Sequence, residues 1–154
     1  MTYVAPWLLA SLTAAAPASP SGPIVFVCEH GNVKSLIAMQ WFNRLAAERR
    51  LSVRAISRGI TPENPVPPPI RARLKDDGFD VLAFEARALT PGDVKGAPRL
   101  VMIGAEAPAW ARDSGAPVDV WSDIPPASED YGASRDAMRE RIEALLSTLA
   151  APGK

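Results

Sequence analysis

The chain has 154 residues, 47% of them hydrophobic, with 17 basic and 17 acidic side chains, one histidine and one cysteine. That length supports one continuous core but hardly two, and a mean hydropathy near zero with 22% charged residues fits neither a membrane protein nor a disordered chain. Balanced charge removes the electrostatic footprint of a general nucleic-acid binder, and a single cysteine excludes an internal disulfide, a four-cysteine zinc site and any thiol relay within one chain.

Every Lys, Arg, Asp and Glu lies from Glu29 onward, so the chain has two compositions. Residues 1–22 hold an apolar run from Tyr3 to Leu12, broken by Pro6, and then a small-residue tract from Thr13 to Ala18. The run is too short to span a bilayer. An apolar segment followed by Ala14-Ala15-Ala16 or Ala16-Pro17-Ala18 is how a secretory signal peptide ends, although no Lys or Arg precedes it here. One reading is therefore a signal peptide on a periplasmic or secreted protein. The other is a disordered Ala/Pro extension on a cytoplasmic one.

Residues 23–150 read as one folded domain. Ile24-Val25-Phe26-Val27 is a continuous apolar, β-rich run, as in a strand buried on both faces of a parallel sheet, and it leads into Cys28. A turn-rich loop, Glu29-His30-Gly31-Asn32-Val33-Lys34-Ser35, precedes a helix from Leu36 to Arg50 in which Leu36, Met39, Phe42, Leu45 and Ala46 recur at helical spacing. Val53 to Ser57 predicts a second strand ending at Arg58-Gly59. The proline-rich connection Pro62 to Pro69 leads to a short helix from Ile70 to Asp77 that Gly78 stops. Arg99 to Ile103 and Val118 to Trp121 predict two further strands, and Tyr131 to Leu149 a last helix with Met138, Ile142, Leu145 and Leu149 on one face. Strands alternating with helices indicate an α/β fold: a three-layer sandwich with a four-stranded parallel sheet flanked by helices.

Such a sheet binds ligands beyond the carboxyl ends of its strands, and Cys28 sits at one, before a loop that opens a helix. A helix N-terminus offers unpaired N–H groups and partial positive charge, which bind anions and favour a thiolate. Position alone leaves two roles for Cys28, a nucleophile or the last buried residue of a strand.

Cys28, five residues, then Lys34-Ser35 and a helix resembles the phosphate loop of the low-molecular-weight protein tyrosine phosphatases and the related arsenate reductases, in which the loop is Cys, five residues, Arg, Ser. The likeness continues through Ser57-Arg58-Gly59, Val66 to Asp80, Leu89-Thr90-Pro91-Gly92-Asp93 before the strand at Arg99, and Trp121 to Pro125. The resemblance implies a phosphate loop after the first strand and hydrolysis of phosphate monoesters through a cysteinyl-phosphate, with no metal and no organic cofactor. Cys28 is then the nucleophile, the loop of Glu29, His30, Gly31, Asn32, Val33, Lys34 and Ser35 holds the substrate oxygens, and Ser35 donates its hydroxyl to the sulfur. Asp123, before Ile124 and Pro125, is the best positional match for the general acid, with Asp119 and Asp130 in reserve. Partners would be a small oxyanion, an aryl phosphate or a phosphorylated protein.

Two departures stand out. Lys34 replaces the family's arginine, so charge is kept while the flat two-pronged grip on phosphate is lost; Arg58 is a candidate to compensate, or else a solvated turn residue. Glu29 brings negative charge beside an anion site, which repels phosphate if it points inward and matters little if it points out. His30 is either a contact to substrate or a loop hydrogen bonder. Trp110 either lines the pocket mouth or packs under a loop. Three function classes remain: a phosphatase, an arsenate reductase that would need an external thiol, and a catalytically weak oxyanion-binding module.

Overall fold

A computed structural model describes residues 22–150. The signal-peptide expectation rests on residues outside this range, apart from Gly22, as does Trp7. The chain runs β1 (Ile24–Cys28), α1 (Lys34–Glu48), β2 (Ala55–Gly59), α2 (Pro68–Asp76), α3 (Pro91–Val94), β3 (Leu100–Ile103), α4 (Ala109–Arg112), β4 (Val118–Trp121) and α5 (Tyr131–Ala150). The four strands are all parallel in the order β2-β1-β3-β4, as the alternation of strands and helices leads one to expect. Among the described residues no helix is long and apolar enough to cross a membrane.

Every residue of β1 is buried because the strand is covered on both faces. Ile24 and Phe26 join the cluster built with α1, α2 and α5, while Val25 and Val27 join Leu89, Val94, Leu100, Met102 and Ala111 on the side of α3 and α4. Phe26 packs edge-on to Phe42 at 5.8 Å between ring centres and against Trp121 at 5.6 Å. Trp41 meets Phe79 edge-on at 5.1 Å. These two tryptophans belong to the core.

Several boundaries differ from the sequence expectation, each for a local reason. β2 starts at Ala55 instead of Val53, since the Arg54 guanidinium folds back to donate to the carbonyls of Leu51 and Val53. It ends at Gly59, as expected, and Arg58 is tied to α3 by a two-pronged pair with Asp93 (Nε to Oδ2 2.9 Å, Nη2 to Oδ1 3.0 Å). The uncharted stretch before β3 continues the sheet edge: Gly59 N–H donates to Arg87 O and Leu89 N–H to Gly59 O. It then forms α3, where Thr90 and Asp93 make a reciprocal capping box and Pro91 occupies the first turn. α4, which carries Trp110, is a short helix that no periodicity announced.

The strand order places the site. The chain leaves β1 toward β2 and returns on the other side at β3, so a crevice opens beyond the ends of β1 and β3, where Cys28, Ile103 and Gly104 lie.

Candidate active site

The loop from Glu29 to Val33 is shaped by where its carbonyls go. The carbonyl oxygens of Cys28, Glu29 and His30 accept from the N–H groups of Ile60 (3.1 Å), Thr61 (2.8 Å) and Glu63 (3.0 Å). Those carbonyls therefore face the segment after β2. Within the described chain, no backbone N–H from Glu29 to Leu36 donates to a main-chain acceptor. Unpaired amides gathered at a helix N-terminus form an anion cradle.

Gly31 makes the turn possible, with φ of +67°, and it crosses Gly59 so closely that a Cβ on either residue would lie 2.8 Å from the other's backbone nitrogen. Asn32, nearly buried, ties the loop to the proline-rich connection through Nδ2 to Pro65 O at 3.3 Å. The proline run thus braces the loop as well as steering the chain into α2.

Cys28 is 6% exposed, with Sγ 3.0 Å from Ser35 Oγ. Ser57, projecting inward from β2, donates to Ser35 Oγ at 2.8 Å, a shorter contact than its 3.3 Å to Gly31 O. A hydroxyl has one proton to give, so this arrangement frees the Ser35 proton for the sulfur. Ser57 is a site residue that sequence reasoning assigned only to a strand end.

Lys34 opens α1 and lines the same cavity. A Cβ on Gly104 would meet its Nζ at 3.0 Å, which places the ammonium over the end of β3. Among the described residues no carboxylate lies within ion-pair distance of it. Glu29 Oε1 accepts from Thr61 Oγ1 at 2.8 Å, so its carboxylate is held along the rim. His30 Nδ1 lies 3.2 Å from Thr61 O and 3.5 Å from Glu63, the pattern of a loop hydrogen bonder.

The structure does not bring every nominated residue together. Arg58 is engaged by Asp93 and is absent from the cavity wall; it holds β2 to α3 and neither compensates for Lys34 nor sits in solvent. Burial alone would raise the Asp93 carboxyl, but hydrogen bonds from Arg58 and Thr90, with the Arg58 charge, bring it below the usual carboxylate range. Asp123 pairs with Arg141 in a separate groove beside α5, and Asp119 pairs with Arg99 at 3.2 Å. Trp110 is exposed and away from the wall. Of the three carboxylates named from sequence as candidate general acids, Asp130 alone lines the cavity, beside Glu129, which was not named.

The cavity holds about 610 Å³, within the usual range for an organic ligand. Its floor is the loop with Cys28, and its walls include Pro67, Ile70 and Arg73 from the approach to and body of α2, and Pro126 to Tyr131 from the approach to α5. Asp130 Oδ1 accepts from Ala133 N–H at 2.9 Å, capping α5. Glu129 makes no side-chain hydrogen bond or ion pair within the described chain. Tyr131 donates its phenol to Asp77 Oδ2 at 2.8 Å, and Arg135 meets Asp77 at 3.1 Å. Burial, then the hydrogen bond to Asp77, hold the Tyr131 phenol well above its ordinary pKa, so it stays protonated. No group of three metal-ligating side chains occurs among the described residues.

A doubly covered parallel sheet with a cysteine-headed amide cradle after its first strand is the architecture of the low-molecular-weight protein tyrosine phosphatases and arsenate reductases, and comparison with solved structures shows that fold. The chain is similar to YfkJ of Bacillus subtilis (TM-score 0.71, 19% identity, covering 83% of this chain and 94% of that one). It is also similar to the low-molecular-weight protein tyrosine phosphatase of T. tengcongensis (0.69, 19%, 83% and 99%) and to an arsenate reductase in its phosphate-binding state (0.68, 17%, 84% and 99%). No protein-family model and no curated protein sequence matches the chain.

Proposed function

We propose that this chain hydrolyses phosphate monoesters, aryl phosphates or phosphotyrosine, through a cysteinyl-phosphate on Cys28. The observation that carries the reading is the Cys28 thiol set beneath unpaired amides and hydrogen-bonded by Ser35, which in turn accepts from Ser57. The thiolate attacks phosphorus, a sulfur–phosphorus bond forms, and the bond to the ester oxygen breaks. The loop amides and Lys34 stabilise the charge on the non-bridging oxygens. A carboxylic acid in the Glu129–Asp130 pair protonates the leaving oxygen. The resulting carboxylate then takes a proton from the water that attacks phosphorus, which releases inorganic phosphate and restores the thiolate. Glu129 is the candidate acid, because Asp130 has one oxygen committed to the cap of α5. Arsenate would fit the same cradle, but with one cysteine in the chain its reduction would require an external thiol.

Hydrolysis of 4-nitrophenyl phosphate by wild type, Cys28→Ser and Lys34→Arg tests this. Wild type should turn over, Cys28→Ser should not, and Lys34→Arg should gain about tenfold in kcat/KM, the equivalent of ~1.4 kcal/mol of transition-state binding, as a two-pronged donor replaces a point charge. Turnover surviving in Cys28→Ser would refute the mechanism. Tight phosphate binding without turnover in wild type would reduce the chain to an oxyanion-binding module.

A further inference from the structure

We infer that Arg73 is a specificity residue that receives a second anionic group, carried on the organic part of the substrate. The inference rests on the loop being the phosphate site, and it concerns what else the cavity holds. At about 610 Å³ the space far exceeds a single oxyanion, given that one water takes only ~30 Å³ of liquid volume. The remainder is a slot with Pro67, Ile70 and Pro126 on its walls, suited to an apolar or aromatic body.

The same wall carries one full positive charge besides Lys34. Arg73, on α2, lies with its guanidinium carbon 5.2 Å from the centre of the Tyr131 ring, so one face of the guanidinium is covered while its N–H edge is left to donate. Tyr131 is itself fixed through Asp77 and Arg135. Arg73 is exposed, so its N–H edge can be reached by a ligand entering from solvent. Glu129 and Asp130 line the same cavity, yet neither they nor any other described carboxylate lies within 4.0 Å of Arg73.

Lys34, by contrast, stands at the loop over the end of β3. Two cations thus serve different parts of the wall, one at the phosphate cradle and one beside Tyr131. A substrate bearing phosphate at one end of an aryl group and carboxylate or phosphate at the other matches both. Glu29, Glu129 and Asp130 oppose a general attraction of anions into the cavity, so the preference must come from a directed contact with the guanidinium.

The test compares two phosphonates that cannot be hydrolysed, 4-(2-carboxyethyl)benzylphosphonate and 4-propylbenzylphosphonate, binding to Cys28→Ser by titration calorimetry. Cys28→Ser should bind the carboxylated compound about tenfold more tightly. Adding Arg73→Gln should erase that ratio while leaving the affinity for the propyl compound within about twofold, and Arg73→Lys should restore part of it. Equal affinities for the two compounds, or a ratio unmoved by Arg73→Gln, would overturn the role of Arg73. Failure of both compounds to bind would overturn the oxyanion site along with it. Binding with the expected ratio but no hydrolysis of 4-nitrophenyl phosphate by wild type would leave Arg73 standing and remove the hydrolase reading alone.

Discussion

Replacing Gly59 with alanine should disable the phosphate loop while sparing the fold. The Cβ would stand 2.8 Å from Gly31 N and from His30 C, both main-chain atoms that cannot rotate away. Carbon contacts settle at ~3.5–4.0 Å, so the loop would have to retreat by roughly 0.7 Å or more. Gly59 itself has no left-handed φ, so alanine strains nothing but this contact. Overpacking of this kind costs about 1–3 kcal/mol, which lowers Tm by roughly 3–10 °C for a domain of this size. Catalysis should suffer far more, because a displacement near 1 Å in a positioned site can cost about a hundredfold. Gly92→Ala is the control, since its Cβ meets only Thr90 Oγ1 at an ordinary 3.7 Å. Thermal melts, calorimetric phosphate binding and kcat/KM on an aryl phosphate would be measured together. If Gly59→Ala keeps phosphate affinity and kcat/KM within about twofold of wild type, the glycine crossing does not set the cradle.

Asp93→Asn should destabilise the protein by about 2–3 kcal/mol at pH 7, since the carboxylate accepts from both Arg58 and Thr90 in a mostly covered pair. Because the folded Asp93 carboxyl lies below its ordinary value, its contribution is present above about pH 4 and fades as pH falls through the folded value. Urea melts at pH 7 and pH 3 should show the gap from wild type closing; a gap of constant size would contradict the assignment. For the leaving-group acid, Glu129→Gln should slow esters of poorly acidic phenols by about 10²–10³ and spare 4-nitrophenyl phosphate. Asp130→Asn, which keeps a good helix cap, should change neither Tm nor this leaving-group dependence by much. The reverse pattern would transfer the role to Asp130.

Much of this fold was legible because its signals are local. The Ile24–Val27 run, the helical spacing of Leu36, Met39 and Phe42, and the apolar face of α5 each follow from side-chain periodicity, and the four expected strands pair as one parallel sheet. Cys28 and Ser35 were legible as a spacing, and their contact follows from the loop between them. What stayed hidden depends on partners distant in sequence. Nothing near Arg58 announces Asp93, so the ion pair that takes Arg58 away from the cavity could not be read from the end of the strand. The acidic loop misled for the same reason: Asp123, before Ile124 and Pro125, is the best positional match for the acid that the resemblance implies, but Arg141 on α5 takes its carboxylate. Glu129 and Arg73 enter the cavity only through the packing of α5 and α2, which no spacing encodes.

Gly104 bears on how the unusual cation at position 34 can be changed. With φ of +64° and no side chain, it leaves open the volume over the end of β3 into which the Lys34 ammonium reaches. A side chain there would crowd the Lys34 ammonium, which can swing aside, and would crowd the bulkier fork of an arginine more, on top of the strain that the left-handed φ imposes on any residue but glycine. The two positions, far apart in the chain, are therefore coupled: the gain from Lys34→Arg should vanish in a Gly104→Val background. Any attempt to redesign the anion grip of this enzyme-like cradle has to treat them as one unit.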